Sequence, residues 1–251
     1  MYEPAVKWSG SKRSQAEEII KLFPKEINTY YEPFCGGCSV LRRLLSSDIK
    51  VNRYVCSDLN GDLINLWNMI KDNPKYLSDY YSKLWSELNV DDDKERKKRY
   101  FESVRERYNK DGKFNNSFHV TRNGILPDKL EKILLEWSEL LNKYNVEFKC
   151  CSYEEISTNE NDLLYLDPPY AATRGMYYGS IDLENFFNWL AGQNGYYLLS
   201  FDGKSGNIDI TYNVPEDLYS EHKYMFSGNS SFKRTIGKSN DSIVYESLYL
   251  K

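Results

Sequence analysis

A parallel α/β sheet interrupted by a helical insertion is the fold class this sequence predicts. Three observations carry the prediction. Short apolar runs alternate with segments of helical spacing toward both ends of the 251-residue chain. A glycine-rich loop follows the first run and opens a helix. Between about residue 72 and residue 145 the strand signals stop, and amphipathic helical segments succeed one another.

Taken in order, residues 11–23 are polar, with Ile19, Ile20, Leu22 and Phe23 among them, and predict a helix. Residues 29–34 predict a short strand, and Val40, Leu41, Leu44 and Leu45 recur at helical spacing after the glycine loop. Residues 54–57 predict a second strand ending at Asp58. Residues 61–71 predict a helix with Leu63, Leu66, Trp67 and Ile70 on one face. In the middle, Tyr76, Tyr80, Leu84, Trp85 and Leu88 mark one helix, and Tyr100, Phe101, Val104 and Tyr108 another. Leu130, Ile133, Leu134, Trp137, Leu140, Leu141 and Tyr144 form a strong helical stripe suited to core packing. Strands resume over 146–151, 162–166 and 196–201, with a helix near 182–190 and two last strands near 224–226 and 243–250. The expected organisation is a sheet domain from 1–71 and 146–251, with 72–145 inserted into it.

Composition bounds the rest. With 41% hydrophobic residues and 22 tyrosines, the chain can bury a sizeable core and is not of the disordered class. No apolar run approaches the roughly 20 residues that span a bilayer. The N-terminal stretch lacks an apolar signal core, so a soluble, cytoplasmic protein without membrane association is expected. Five cysteines, an odd number, argue against a disulfide framework. Cys35-Gly36-Gly37-Cys38 spells C-x-x-C, but no second pair follows at zinc spacing, and no metal is expected. The net charge of −4 excludes a uniformly basic nucleic-acid binder. Locally, residues 94–113 carry nine Lys/Arg against four Asp/Glu. That cluster, with Lys97, Lys98 and Arg105, suits a phosphate-facing surface, but on charge alone it suits a solvated helix face better.

Three stretches carry chemistry. In the first, Glu32-Pro33-Phe34-Cys35-Gly36-Gly37-Cys38-Ser39 leaves a strand and enters a helix, and its glycines admit close backbone approach to a ligand. It is not G-x-G-x-x-G, which makes a pyrophosphate a poor fit. Asp58 closes the next strand, where α/β nucleotide sites place an acid on ribose hydroxyls. Together they suit an adenosine ligand without pyrophosphate; an ordinary turn with a helix-capping Asp suits the same residues. The second stretch is Lys7-Trp8-Ser9-Gly10-Ser11-Lys12, which also reads as an N-terminal arm anchored by its Trp. The third is the most specific. The apolar run 163–166 stops at Asp167-Pro168-Pro169-Tyr170, because neither proline can donate to a sheet ladder. A carboxylate, stiff backbone carbonyls and an aromatic ring are thereby held within four residues.

Lys7-Trp8-x-Gly10-x-Lys12, Glu32-Pro33-Phe34-x-Gly36-Gly37, a helical insertion and Asp167-Pro168-Pro169-Tyr170 follow one another over nearly the whole chain. This order resembles the Dam-type (D12 class, alpha group) DNA adenine N6-methyltransferases. Ser57-Asp58-Leu59-Asn60-x-Asp62-Leu63-Ile64 and Cys151-Ser152-Tyr153 are similar to further segments of that family. The resemblance implies a Rossmann-like S-adenosylmethionine-dependent methyltransferase sheet whose insertion recognises DNA. It implies S-adenosylmethionine as cofactor, held by Trp8, Lys12, Phe34, Gly36, Asp58, Tyr153 and Asp167. Asp167 and the Pro168 carbonyl would accept the amine N–H groups of adenine, and Tyr170 would stack on a flipped base. Arg122, Asn123, Lys233 and Arg234 would face DNA, although the run 227–234 also suits a plain surface hairpin. The polar stretch that usually follows the Asn-Gly of the family's recognition hairpin is short here, so a GATC target is not implied. The expected partner is duplex DNA, with the protein acting as a monomer. The rival readings are N4-methylation of cytosine, methylation of RNA adenine or of a protein amide, and a DNA-binding relative without catalysis.

Overall fold

The computed structural model describes residues 3–8, 10–108, 124–169, 181–206, 208–229 and 243–251. Helices are α1 (Ala16–Ile20), α2 (Ser39–Leu44), α3 (Gly61–Asp72), α4 (Pro74–Asn89), α5 (Lys94–Tyr108), α6 (Pro127–Lys143) and α7 (Leu183–Ala191). Strands are β1 (Glu26–Glu32), β2 (Lys50–Asp58), β3 (Glu147–Cys150), β4 (Leu163–Leu166), β5 (Tyr196–Ser205), β6 (Ile208–Asp209), β7 (Glu221–Asn229) and β8 (Ile243–Leu250).

The sheet runs β3-β2-β1-β4-β5-β8-β7, with β6 paired to β5. Strands β1 to β5 are mutually parallel where they pair, while β8 is antiparallel to both β5 and β7. The chain winds outward from β1 through β2 to β3, then returns to place β4 on the other side of β1. The order reverses between β1 and β4, and in open α/β sheets the crevice outside the strand carboxyl ends at such a point binds the ligand.

Burial explains why β4 reads as a continuous apolar run. Leu163 and Tyr165 enter one core cluster, and Leu164 and Leu166 enter the other, so both faces of the strand are covered. Helix α3 starts where Asn60 caps it, its side-chain oxygen accepting from the Leu63 N–H at 3.1 Å. Proline opens α6, where its missing N–H costs nothing. The α6 stripe packs as its spacing predicts: Ile133, Leu134, Trp137 and Leu141 are buried, with the Trp137 ring 4.9 Å from that of Trp67.

The boundaries of α1, β1 and β2 differ from expectation, and β5 and β7 run longer than predicted. The predicted helix over 11–23 reduces to the five residues of α1. Its first part turns instead, with the Lys12 carbonyl accepting from the N–H groups of Gln15 and Ala16, because the Lys12 side chain is drawn inward. Its end precedes Pro24, which disfavours helical geometry at Phe23. Strands β1 and β2 begin three and four residues before their predicted starts. Their early residues pair Glu26 with Lys50 and Ile27 with Val51, and Glu26, Lys50, Asn52 and Arg53 show no apolar signal because they are exposed.

Candidate active site

A cavity opens at the carboxyl ends of β1, β2 and β4. It is lined by the loop after β1 (Glu32 and residues 34–40), by Asp58 to Asn60 after β2, and by Asp167, Pro168 and Pro169 after β4. Trp8, Gly10, Ser11 and Lys12 complete the wall. Six of the expected cofactor residues, Trp8, Lys12, Phe34, Gly36, Asp58 and Asp167, therefore share one cavity. Tyr153 is not among its lining residues. Its ring is buried and packs 5.6 Å from Phe34, 5.3 Å from Phe186 and 5.0 Å from Trp189, behind the wall.

The glycine loop is fixed from three sides. Asp58 accepts from the Gly36 N–H at 3.3 Å and from the Asn60 N–H at 3.0 Å. The Trp67 indole N–H donates to the Gly36 carbonyl at 2.9 Å. Gly36 has φ +44°, and a Cβ there would sit 2.7 Å from two atoms of the Trp8 ring. Only glycine lets the loop turn and Trp8 lie against it. Burial raises the Asp58 carboxyl above its ordinary value, while the backbone N–H groups of Asn60, Gly36 and Leu59 pull the other way.

Glu32, at the end of β1, substitutes for a conventional cap on α2. Cys38 precedes that helix with φ 51° and makes no side-chain cap, whereas Glu32 accepts from the Leu41 N–H at 3.1 Å. The Tyr30 hydroxyl donates to the same Glu32 oxygen at 2.8 Å. Burial pushes the Glu32 carboxyl up to about 8 despite these donors. Its folded value thus lies above the unfolded one, so the folded state keeps a proton that the unfolded chain releases first. Stability is expected to fall as pH rises from about 4.5 to about 8. Thermal melts across that range should show the decline in the wild type and a flatter profile in Glu32→Gln. An equal decline in both would remove Glu32 as its source.

At the other side of the cavity lies a charge cluster. The Lys12 side chain is 4% exposed, its ammonium 2.8 Å from Asp167 Oδ1 and 3.5 Å from Glu246 Oε2. Burial works to lower its pKa, but the attraction of Asp167 and Glu246 prevails and the value is raised. Asp202 on β5 is the cross-strand partner of Glu246 on β8. Burial and then repulsion from Glu246 push its carboxyl up to about 6. Sequence reading placed Glu32 in the glycine-loop motif without giving it a role, and it passed over Asp202 and Glu246. The available signal was an ionisable residue inside an otherwise apolar strand, as Glu246 is in IVYESLYL.

The cysteines of the C-x-x-C are buried, and burial pushes the Cys35 thiol up to about 12. Among the described residues no group of three or more His, Cys, Asp or Glu is placed to hold a metal. Among them no helix is long and apolar enough to cross a membrane.

The expected DNA-facing residues are placed only in part. On α5, Lys98 is exposed, while the Lys97 side chain is 13% exposed and lies 4.0 Å from Asp92. Arg105 belongs to α5, but its side chain lies outside what is described, as do Tyr170, Arg122, Asn123, Lys233 and Arg234 altogether.

The cavity's composition suits an adenosine-bearing sulfonium. It offers a half-buried carboxylate at Asp58, aromatic rings at Trp8 and Phe34, and a backbone cradle that a Cβ would fill. Among its described lining residues Lys12 is the sole cation, and it is already paired, which disfavours phosphate-rich ligands.

Comparison with known proteins agrees with this geometry. The D12 class N6 adenine-specific DNA methyltransferase family matches residues 8–104 and 96–188. The chain is 28% identical over 194 residues to a DNA adenine methylase of Haemophilus influenzae, covering 68% of this chain and 64% of that protein. It is 28% identical over 199 residues to a type II methyltransferase of Lactococcus lactis subsp. cremoris, covering 66% and 65%. A type II methyltransferase of Planomicrobium okeanokoites is 23% identical over 280 residues, covering 94% of this chain and 41% of the relative. The chain thus spans less than two thirds of the length of these relatives. Among solved structures, an rRNA methyltransferase from Streptomyces viridochromogenes is 12% identical with a TM-score of 0.46, covering 99% of this chain and 87% of the other. With a family match over more than half of its length, this chain belongs to the D12 class N6 adenine-specific DNA methyltransferases.

Proposed function

We propose that this protein methylates the exocyclic N6 of adenine at specific sites in duplex DNA, using S-adenosylmethionine and a base flipped out of the helix. The observation that carries the reading is the opening of Asp167-Pro168-Pro169 onto the same cavity as the Gly36 loop and Asp58. S-Adenosylmethionine, when bound, supplies an electrophilic methyl group. Trp8, Phe34 and Gly36 would enclose that cofactor, with Asp58 toward its ribose hydroxyls.

The remaining task belongs to the protein's own groups. The adenine amine is a poor nucleophile, because its lone pair is delocalised into the ring. Asp167 and the Pro168 carbonyl accept its two N–H groups and favour a pyramidal nitrogen with a localised lone pair. Both acceptors are fixed before the reaction, at the end of a strand buried on both faces, so little reorganisation is required as charge develops. Tyr170 stacks on the base, and flipping costs a few kcal/mol of unstacking and unpairing.

Residues 72–145 serve in this reading as the target-recognition unit. Helix α6 anchors it through Trp137, α4 packs on α6, and α5 presents cations to the DNA backbone. Neutralising Lys97, Lys98 and Arg105 together is expected to weaken DNA binding with little sequence bias. The salt dependence of log K should fall by about one unit per lost phosphate contact. An unchanged slope would leave α5 as a solvated face.

Expression in a bacterium that lacks DNA methylation, followed by modification-sensitive sequencing, tests the function. N6-methyladenine at a fixed set of sequences is expected. A modified cytosine, or a genome without modification despite soluble protein, refutes it.

A further inference from the structure

Glu246 does not line the cavity, yet it reaches the cavity through Lys12. It sits on β8 with a side chain 14% exposed, between the cross-strand neighbours Asp202 on β5 and Met225 on β7. Its Oε1 accepts from the Ser227 hydroxyl at 3.1 Å. Its Oε2 faces the Lys12 ammonium at 3.5 Å. Burying a carboxylate is costly unless a counter-charge accompanies it. That counter-charge is the same ammonium that holds Asp167 Oδ1 at 2.8 Å and donates to the Gly10 carbonyl at 3.3 Å.

We propose that Glu246 is a positioning residue for the transfer step: it shares the Lys12 ammonium with Asp167 and so limits how strongly Lys12 neutralises the carboxylate that accepts the substrate amine. The inference rests on the reading of Asp167 as that acceptor.

A charge-assisted bond in a water-poor site strengthens as competing partners are removed. With Glu246 neutral, Lys12 would lose one of its two carboxylate neighbours and keep Asp167 and the Gly10 carbonyl. Asp167 would then be a weaker acceptor for the N–H groups whose polarisation the reaction needs. Asp202, across from Glu246, adds negative charge to the same neighbourhood once it ionises and acts in the same sense as Glu246. The arrangement joins the N-terminal segment, the end of β4 and the middle of β8, so the last strand of the sheet contributes to the site without touching substrate.

Glu246→Gln is the first variant, because the amide keeps an acceptor for Ser227 and the volume of the side chain. Single-turnover methylation of a duplex by excess enzyme should slow by about 10-fold, the lower end of what losing a partner behind a metal ligand costs. The affinities for S-adenosylmethionine and for the duplex should stay near wild type. Glu246→Asp should restore part of the rate. In a Lys12→Met background the same Glu246→Gln change should cost nothing further. A wild-type rate in Glu246→Gln, or an equal loss in both backgrounds, overturns the proposal.

Because Lys12→Met could fail to fold, nitrogen NMR of the Lys12 ammonium in otherwise intact protein supplies a second reading. Its titration midpoint should fall in Glu246→Gln, and an unchanged midpoint also overturns the proposal. A wild type that transfers no methyl to adenine, with Lys12 still coupled to Glu246, would instead refute the assigned reaction.

Discussion

Asp167→Ala is expected to slow methyl transfer by about 10²-fold or more in a single turnover, the loss that follows removal of one preorganised polar group from a transition-state site. The chemical step should carry that loss and not duplex binding, because in the proposed mechanism Asp167 acts on an amine that the protein has already captured. Its carboxylate is held by a buried ammonium at 2.8 Å, so truncation also releases Lys12 toward Glu246. Asp167→Asn separates the two contributions. The amide retains a carbonyl acceptor but loses the charge that fixes Lys12, and it can present an NH₂ group to the substrate. A large but incomplete loss is expected. An Asp167→Ala protein that methylates adenine at the wild-type single-turnover rate would remove Asp167 from the mechanism.

The largest effect on stability is expected at Trp67. Its side chain is fully buried, stacked on Phe148 with ring centroids 5.6 Å apart and 7° between planes, and 4.9 Å from Trp137. Trp67→Ala should cost about 3–5 kcal/mol in denaturant unfolding, through lost burial and the cavity left behind. Trp67→Phe is more informative about function. It keeps much of the bulk but leaves the Gly36 carbonyl without its 2.9 Å donor. An unsatisfied acceptor there, worth about 1–3 kcal/mol, should loosen the glycine loop. Affinity for S-adenosylmethionine should then fall while the fold persists. Calorimetry that finds wild-type affinity in folded Trp67→Phe would show that the indole contributes to packing alone.

These two residues mark what the sequence makes legible. Asp167, Pro168 and Pro169 are contiguous, and a strand that ends on two prolines announces itself without tertiary knowledge. The placement of the glycine loop and Asp58 at the cavity is legible for a similar reason, since each lies at a strand end. Trp67 reads correctly as core from its helical spacing, but its hydrogen bond to Gly36 does not, because that contact depends on how α3 settles against the loop. Glu246 and Asp202 illustrate the larger limit. They meet because β8 runs antiparallel to β5, and nothing local to either segment specifies that pairing. Lys12 was expected at the cofactor, and it does line the cavity. Its link to Glu246 required the whole sheet to be assembled.

The same physics explains the boundaries that shifted. Strand and helix ends are set by pairing and by what the flanking side chains are asked to do. Lys12 and Ser11 are drawn to the site, the latter with its hydroxyl 2.6 Å from that of Ser39, and α1 shortens accordingly. The exposed early turns of β1 and β2 carry no apolar pattern, yet their backbone pairing extends both strands.

The most direct test of the account is a product analysis with purified protein. Methyl-labelled S-adenosylmethionine and unmethylated duplex DNA are incubated with the wild type and with Asp167→Ala, and the DNA is digested to nucleosides. The account predicts label in N6-methyladenine with the wild type and little or none over the same interval with Asp167→Ala. Label in N4-methylcytosine, equal label with both proteins, or no transfer by a wild type that binds the cofactor would contradict it.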